Sequence, residues 1–347
     1  MTFSEGFTYV RRAWLGGSLP GSTPEQAMTL ALDELGPHLL ALPGGETRRP
    51  NWAASITDEL AKTSMFTIAK PGDGADYDDL PQLAPVNGDL AALDLGYYSI
   101  YQAENPVAHR LVTQRGLALS FQVDIVGPFD QAMLTVGPRR YLKYYKAFEA
   151  ATLRDIMAIF THDETVLFQL SVPLELVGSL TVPAMARNLV TRKLVKKITD
   201  FVSLCPPGLR LGVHLCLGDY GHKSKARLPQ LVPLMDFANT LLETWPAGYP
   251  LAYFTLPVAE AEVPPVLEPS WYTDLARLHV PTGVRVVLGV CHEKVTTADL
   301  RPIVAIADSL LKHQVVVGAS CGLALRGSRT IDDVHLILRQ QRELCAG

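Results

Sequence analysis

Val284-Arg285-Val286-Val287-Leu288-Gly289-Val290 runs with one polar interruption into Cys291-His292-Glu293. A strand with one wet face alternates polar and apolar residues. A nearly continuous run rich in valine belongs instead to a strand covered on both faces, which implies a parallel sheet flanked by helices. Helix-period segments lie on either side, at Ser270–Leu278 and Thr297–His313, and beyond them two more apolar runs, Leu251–Thr255 and Gln314–Ala319. Followed outward, the alternation predicts strands at Ala13–Gly17, His38–Leu42, Leu119–Ile125, Val166–Leu170 and Leu211–Cys216. It also predicts helices at Asn51–Lys62, Arg139–Phe160, Pro183–Leu204, Leu228–Thr244 and Ile331–Glu343. The first helix is announced by Ser22-Thr23, with Pro24 at its first position and Glu25-Gln26 behind, and it stops at Gly36.

Eight strands each followed by a helix predict an α/β chain folded as a single (β/α)8 TIM barrel over 1–347, with a doubly wound sheet as the competing arrangement. One stretch breaks the rhythm. A long insertion between strand 2 and strand 3, about 63–116, is rich in Pro, Gly and Asp and then carries Tyr97, Tyr98 and Tyr101. It reads as a lid or an interface element, or else as a surface excursion.

The 347 residues are 48% hydrophobic and 19% charged, enough apolar mass for a large core. Lys and Arg number 31 against 35 Asp and Glu, a net charge of −4 with no basic stripe, so nucleic acid is not an expected partner. The start of the chain lacks the basic, then apolar order of a signal peptide, and no run is long and apolar enough to span a membrane. A cytoplasmic protein with reduced thiols is expected, since five cysteines are too few and odd in number for a disulfide framework.

In such a barrel, chemistry belongs at the C-terminal ends of the strands. His214-Leu215-Cys216 points an imidazole and a thiol to the same face of a strand end, the arrangement that chelation of one ion requires. Cys321 follows the last strand and would return to the same rim. His214, Cys216 and Cys321 are therefore a candidate three-ligand zinc site with an open fourth position, or else two buried small hydrophobes and a core histidine. Cys291-His292 is a further candidate pair. Asp219 and His222, in the loop after His214-x-Cys216, read as an acid or base beside the metal, or as turn residues.

These residues also carry a family likeness. His214-x-Cys216 with Cys321-Gly322-Leu323-x-x-Arg326 resembles the catalytic domain of cobalamin-independent methionine synthase, as do Gly17-Ser18-x-Pro20 and Gly45-Glu46-x-x-Arg49. The resemblance implies a zinc cofactor held by His214, Cys216 and Cys321. It further implies a small thiol held by Ser18 and Glu46, and methyl or alkyl transfer to that thiol from a second small molecule. Arg49, Gln169 and Arg326 fall at the family's other conserved motif positions and are candidate substrate-binding residues; Asp219, His222 and His292 are candidate catalytic ones.

The departures redirect the substrate. Where the family has Gln-x-Asp-Glu-Pro, this chain reads Gln169-Leu170-Ser171-Val172-Pro173, so the acid that would pair with the ammonium of homocysteine is missing. The family's glutamate ligand falls near Phe254-Thr255-Leu256-Pro257, where no carboxylate stands before Glu260; Glu260, Glu262 or His222 would have to replace it. The relative epoxyalkane:coenzyme M transferase, which resembles this chain in its His-x-Cys and distant Cys, alkylates a thiol without an ammonium group. Two alternatives remain. One is a metal-free barrel resembling uroporphyrinogen decarboxylase, with Arg48, Arg49, Arg326 and His292 around a carboxylated substrate. The other is a non-catalytic, partner-binding barrel. A homo-oligomer is compatible with all three.

Overall fold

Eight parallel strands curl into one sheet in the computed structural model, which describes residues 10–325 and 327–347. The first half of the chain forms β1 (Ala13–Trp14), α1 (Pro24–Glu34), β2 (Leu42–Pro43), α2 (Trp52–Ala61), β3 (Phe66–Lys70), β4 (Gln82–Pro85), α3 (Tyr97–Gln114), β5 (Phe121–Val126), α4 (Pro128–Val136) and α5 (Tyr141–His162). The second half forms β6 (Leu167–Ser171), α6 (Pro173–Thr181), α7 (Ala184–Val202), β7 (Arg210–His214), β8 (Asp219–Tyr220), β9 (Lys223–Ser224), α8 (Val232–Glu243), β10 (Leu251–Pro257), β11 (Arg285–Gly289), α9 (Thr297–Leu311), β12 (Val316–Gly318) and α10 (Ile331–Cys345). A stretch of 3-10 helix, Pro269–Arg277, stands between β10 and β11.

The sheet order is β1-β12-β11-β10-β7-β6-β5-β2. Its outer strands meet. Leu40 donates a backbone hydrogen bond to Ala13 at 2.8 Å and Leu19 one to Gly45 at 3.0 Å, alongside parallel bridges Ala13–Leu39 and Ser18–Gly45. The result is a TIM-like fold, as the pattern of apolar runs predicts. Val286, Val287 and Leu288 of β11 are fully buried, as a strand with helices outside and packed side chains inside must be. Trp14, Leu167, Tyr253, Val287 and Val316 fill the interior.

Three helices lie where none was expected. α4 and α6 follow their strands at once, each opened by a proline whose fixed φ suits the first turn, Pro128 and Pro173. α3 packs against both α1 and α5 in the outer ring, so it takes the place of the second barrel helix. The expected barrel helix Asn51–Lys62, observed as α2, instead packs with the β3–β4 hairpin and α4. The excursion thus ends before α3 rather than at 116. Its hairpin loop reaches the loop after β7: Tyr220 Oη donates to Gly74 O at 2.6 Å, Lys225 pairs with Asp78 at 2.7 Å, and the Tyr77 and Tyr220 rings meet edge-on at 4.9 Å.

Candidate metal centre

The register of neighbouring strands sets the site. On adjacent parallel strands, residues in register point to the same side, so Asp124 lies beside Gln169 and Ser171 beside His214. His214 is the last residue of β7. Two residues on, Cys216 stands beneath the same rim, and the loop after β12 brings in Cys321. One ligand atom from each of the three lies within 4.8 Å of the others.

The two sulfurs are 3.7 Å apart. That is far beyond a disulfide, and it matches the roughly 3.8 Å that two sulfurs take on one tetrahedral zinc with bonds of about 2.3 Å. One imidazole and two thiols are donors that zinc accepts. His214 Nδ1 lies 3.2 Å from Ser171 Oγ, and the ring meets Trp14 edge-on with centroids 5.2 Å apart, so its orientation is fixed. The neighbouring Cys321 thiol and burial push the Cys216 thiol well above its usual range, opposed by a hydrogen bond from the Asp219 backbone amide. Without a cation, burial and the neighbouring sulfur favour the protonated form of Cys216.

Two glycines make close approaches possible after β1, one to the loop after β12 and one to Asp124 and Glu46. A Cβ at Gly16 would lie 2.9 Å from Gly322 N and 3.0 Å from the Cys321 carbonyl carbon. At Gly17, with φ +100°, a Cβ would lie 2.6 Å from Asp124 Oδ2 and 3.1 Å from Glu46 Oε1. Asp124, Glu46 and the Cys321 loop therefore crowd one corner of the rim. Ser18 is buried beside them, its carbonyl accepting from Leu323 N at 2.6 Å.

Gln169 sits beneath this corner with every group engaged. Its Oε1 accepts from Trp14 Nε1 at 2.9 Å and Tyr253 Oη at 2.7 Å, so its amide must donate, which it does to Asp124. Arg49 bonds Glu59 at 3.2 Å and lies over the Tyr97 ring. It lines a cavity of about 60 Å³ together with Glu46, Trp52, Tyr97, Glu104 and Asp124. Burial and the charge of Glu46 raise the Asp124 carboxyl well above its usual range, and the same two causes raise Glu104 to about 7.

Asp219 is brought to the thiols through its amide, but His222 and His292 form a separate cluster. His222 Nε2 lies 2.8 Å from Glu293 Oε1, and His292 Nδ1 and Arg329 lie 3.6 and 3.8 Å from the other carboxylate oxygen. Burial lowers His292 to about 4, and its Nε2 bonds Ala261 O at 3.2 Å. Burial alone would raise the Glu293 carboxyl, but the His222 bond, a backbone hydrogen bond and the Arg329 charge outweigh it and hold it at about 2.

The expected replacements for a fourth ligand are engaged elsewhere. Glu260 and Glu262 pair with Arg227, and His222 with Glu293. Cys291 is buried near Cys345 rather than in the ligand group. Arg326 lies outside the described residues. Asp124, Glu104 and Glu293 were missed as site residues. The readable signal for the first was an aspartate inside the apolar run Phe121-Gln122-Val123-Asp124-Ile125.

No protein-family model matches the chain, and no curated protein does. Among solved structures it is similar to a Listeria monocytogenes protein provisionally assigned as a vitamin-B12-independent methionine synthase. The identity is 12% and the TM-score 0.54, over 96% of this chain and 95% of that one. Endoglucanase CEL6B from Humicola insolens aligns at 12% identity over 94% and 96%, but its TM-score of 0.38 carries no argument. At such identity the Listeria likeness shows a shared fold, the TIM-like barrel already described, and that is what the comparisons establish.

Proposed function

We propose that the chain is a zinc-dependent transferase that moves a methyl or larger alkyl group onto a small thiol other than homocysteine. The observation that carries the reading is the convergence of His214, Cys216 and Cys321 at the C-terminal rim, with sulfurs at the spacing one zinc requires. The assigned name of the Listeria structure adds support in kind. A zinc ion held there would supply the charge that keeps a thiol acceptor as thiolate at neutral pH.

The chain's own residues do the rest. Ser171 and Trp14 orient His214, and the Asp219 amide faces Cys216. Ser18 and Glu46 hold the polar end of the acceptor. The absence of an acid at Ser171-Val172 leaves no partner on β6 for an ammonium group, which favours a thiol that has none. The excursion acts as a lid, since its hairpin loop reaches from the end of β2 to the loop after β7. The cavity beside Glu46 sets Arg48 and Arg49 against three carboxyl groups, and Arg49 is paired with Glu59.

The test is single-turnover alkylation of small thiols by the zinc-loaded chain, followed as thioether by mass spectrometry. The reading expects thioether from the wild-type chain and a loss of at least about a hundredfold in Cys321→Ser and His214→Ala. Equal rates in all three chains would contradict it.

A further inference from the structure

Beside the metal centre lies a buried ionic cluster whose side chains are not in the ligand group. The side chain of Glu293, in the loop after β11, is 9% exposed, that of His222 4% and that of Arg329 5%. Charges are costly to bury, and a carboxylate offsets that cost only where its partners are held in place around it. The partners of Glu293 belong to the two loops that carry the thiols.

One branch leads to Cys216. His222 stands in the turn of the β8–β9 hairpin, and its Nε2 lies 2.8 Å from Glu293 Oε1. The hairpin is rooted on the ligand. Lys225 N donates to Leu217 O at 3.0 Å and Gly218 O at 3.1 Å, Ala226 N donates to Leu217 O at 3.0 Å, and the Asp219 backbone amide donates to Cys216. A displacement of His222 is thus passed to Leu217, the neighbour of Cys216.

The other branch leads to Cys321. Arg329 Nη2 lies 3.8 Å from Glu293 Oε2, and its Nη1 donates to Gly322 O at 3.0 Å. Gly322 follows Cys321 directly, and Leu323 donates to Ser18 O at 2.6 Å. Ser18 holds the Cys321 loop from the side of β1, and Arg329 holds it toward Glu293. The two branches also touch, since a Cβ at Gly327 would lie 2.5 Å from Gly221 O.

Glu293 itself stands on a fixed base. His292 Nδ1 accepts from Lys294 N at 3.1 Å while Nε2 bonds Ala261 O at 3.2 Å, and Gln340 takes both the amide and the carbonyl of His292 at 3.0 Å. We propose, on the reading of His214, Cys216 and Cys321 as a metal centre, that Glu293 is the positioning residue that sets the distance between the two thiols. It acts through His222 on one loop and through Arg329 on the other, as an outer hydrogen-bond partner fixes a metal ligand. Loss of its charge leaves a buried guanidinium without its carboxylate, so Arg329 turns toward water and releases Gly322.

Zinc affinity, measured by chelator competition, should fall at least about tenfold in Glu293→Gln and in Arg329→Gln. The double variant should bind no more weakly than Glu293→Gln, because both changes cut one path. Arg11→Gln breaks a half-buried pair with Asp308 at the start of β1 and serves as the control: it should lower stability and leave zinc affinity at the wild-type value. With cobalt(II) in place of zinc, the thiolate-to-metal charge-transfer band should weaken or shift in Glu293→Gln and keep its wild-type form in Arg11→Gln. Arsenite tests the spacing with no metal ion present. It condenses with two neighbouring thiols, two As–S bonds replacing two As–O bonds with release of two waters. Capture should be stoichiometric in the wild-type chain, lost in Cys216→Ala and at least about tenfold weaker in Glu293→Gln.

Wild-type affinities in both cluster variants, an equal fall in Arg11→Gln, or a wild-type chain that captures no arsenite would overturn the inference. Zinc bound equally tightly with and without the Glu293 charge sinks the positioning role alone. Arsenite capture that depends on Glu293, in a chain that takes up no zinc, keeps that role and sinks the zinc-dependent transfer reading.

Discussion

Gly17 shows how tightly the site is drawn at the scale of single residues. With φ +100° and a carboxylate 2.6 Å from where its Cβ would stand, it admits no side chain. Gly17→Ala must therefore strain the backbone and push Asp124 or Glu46 aside. The expected cost is about 1–3 kcal/mol, read as a lower denaturation midpoint. Wild-type stability in that variant would contradict the close approach. The grouping of His214, Cys216 and Cys321 was legible, because His-x-Cys at a strand end carries its geometry in its spacing. Asp124 and Glu104 were not. One stands in an apolar strand and the other on a helix hidden within an expected insertion, and only folding brings them to one cavity.

At the scale of elements, the loops after β7 and β11 meet through His222, Glu293, His292 and Arg329. Gly221 and His222 both take positive φ, 59° and 63°, in the two-residue turn between β8 and β9. A histidine in that conformation costs about 1 kcal/mol, which the buried bond to Glu293 offsets. His292 is neutral in this cluster, lowered by burial from 6.5 to about 4. The unfolded chain therefore binds the proton more readily. Its contribution to stability is full above about pH 6.5 and is lost as pH falls toward 4. Denaturation of wild-type and His292→Asn chains across that range should converge at low pH, the variant having the shallower slope. Parallel profiles would contradict a neutral, buried His292. The sequence placed these histidines after their strands correctly but gave no hint that they pair with Glu293 rather than with the metal ligands. That pairing depends on the turn at Gly221-His222.

At the scale of the whole molecule, the barrel was readable because a strand buried on both faces leaves a continuous apolar run, as Val284–Val290 does. The helices that escaped notice were of two kinds. α4 and α6 are short and begin immediately after a strand, where Gly127-Pro128 and Val172-Pro173 resemble turns. α3 contains Pro106 and opens from Gly96 in the left-handed region, so its sequence looks broken although it is helical throughout. The excursion is long because it crosses from β2 to the loop after β7.

Everything functional in this account hangs on one ion at one place. Elemental analysis of the purified, reduced chain, prepared without chelator and beside Cys216→Ala, tests it most directly. About one zinc per wild-type chain is expected, and essentially none in the variant. A wild-type chain that takes up no metal when zinc is supplied, or a variant that holds as much as the wild type, would contradict it.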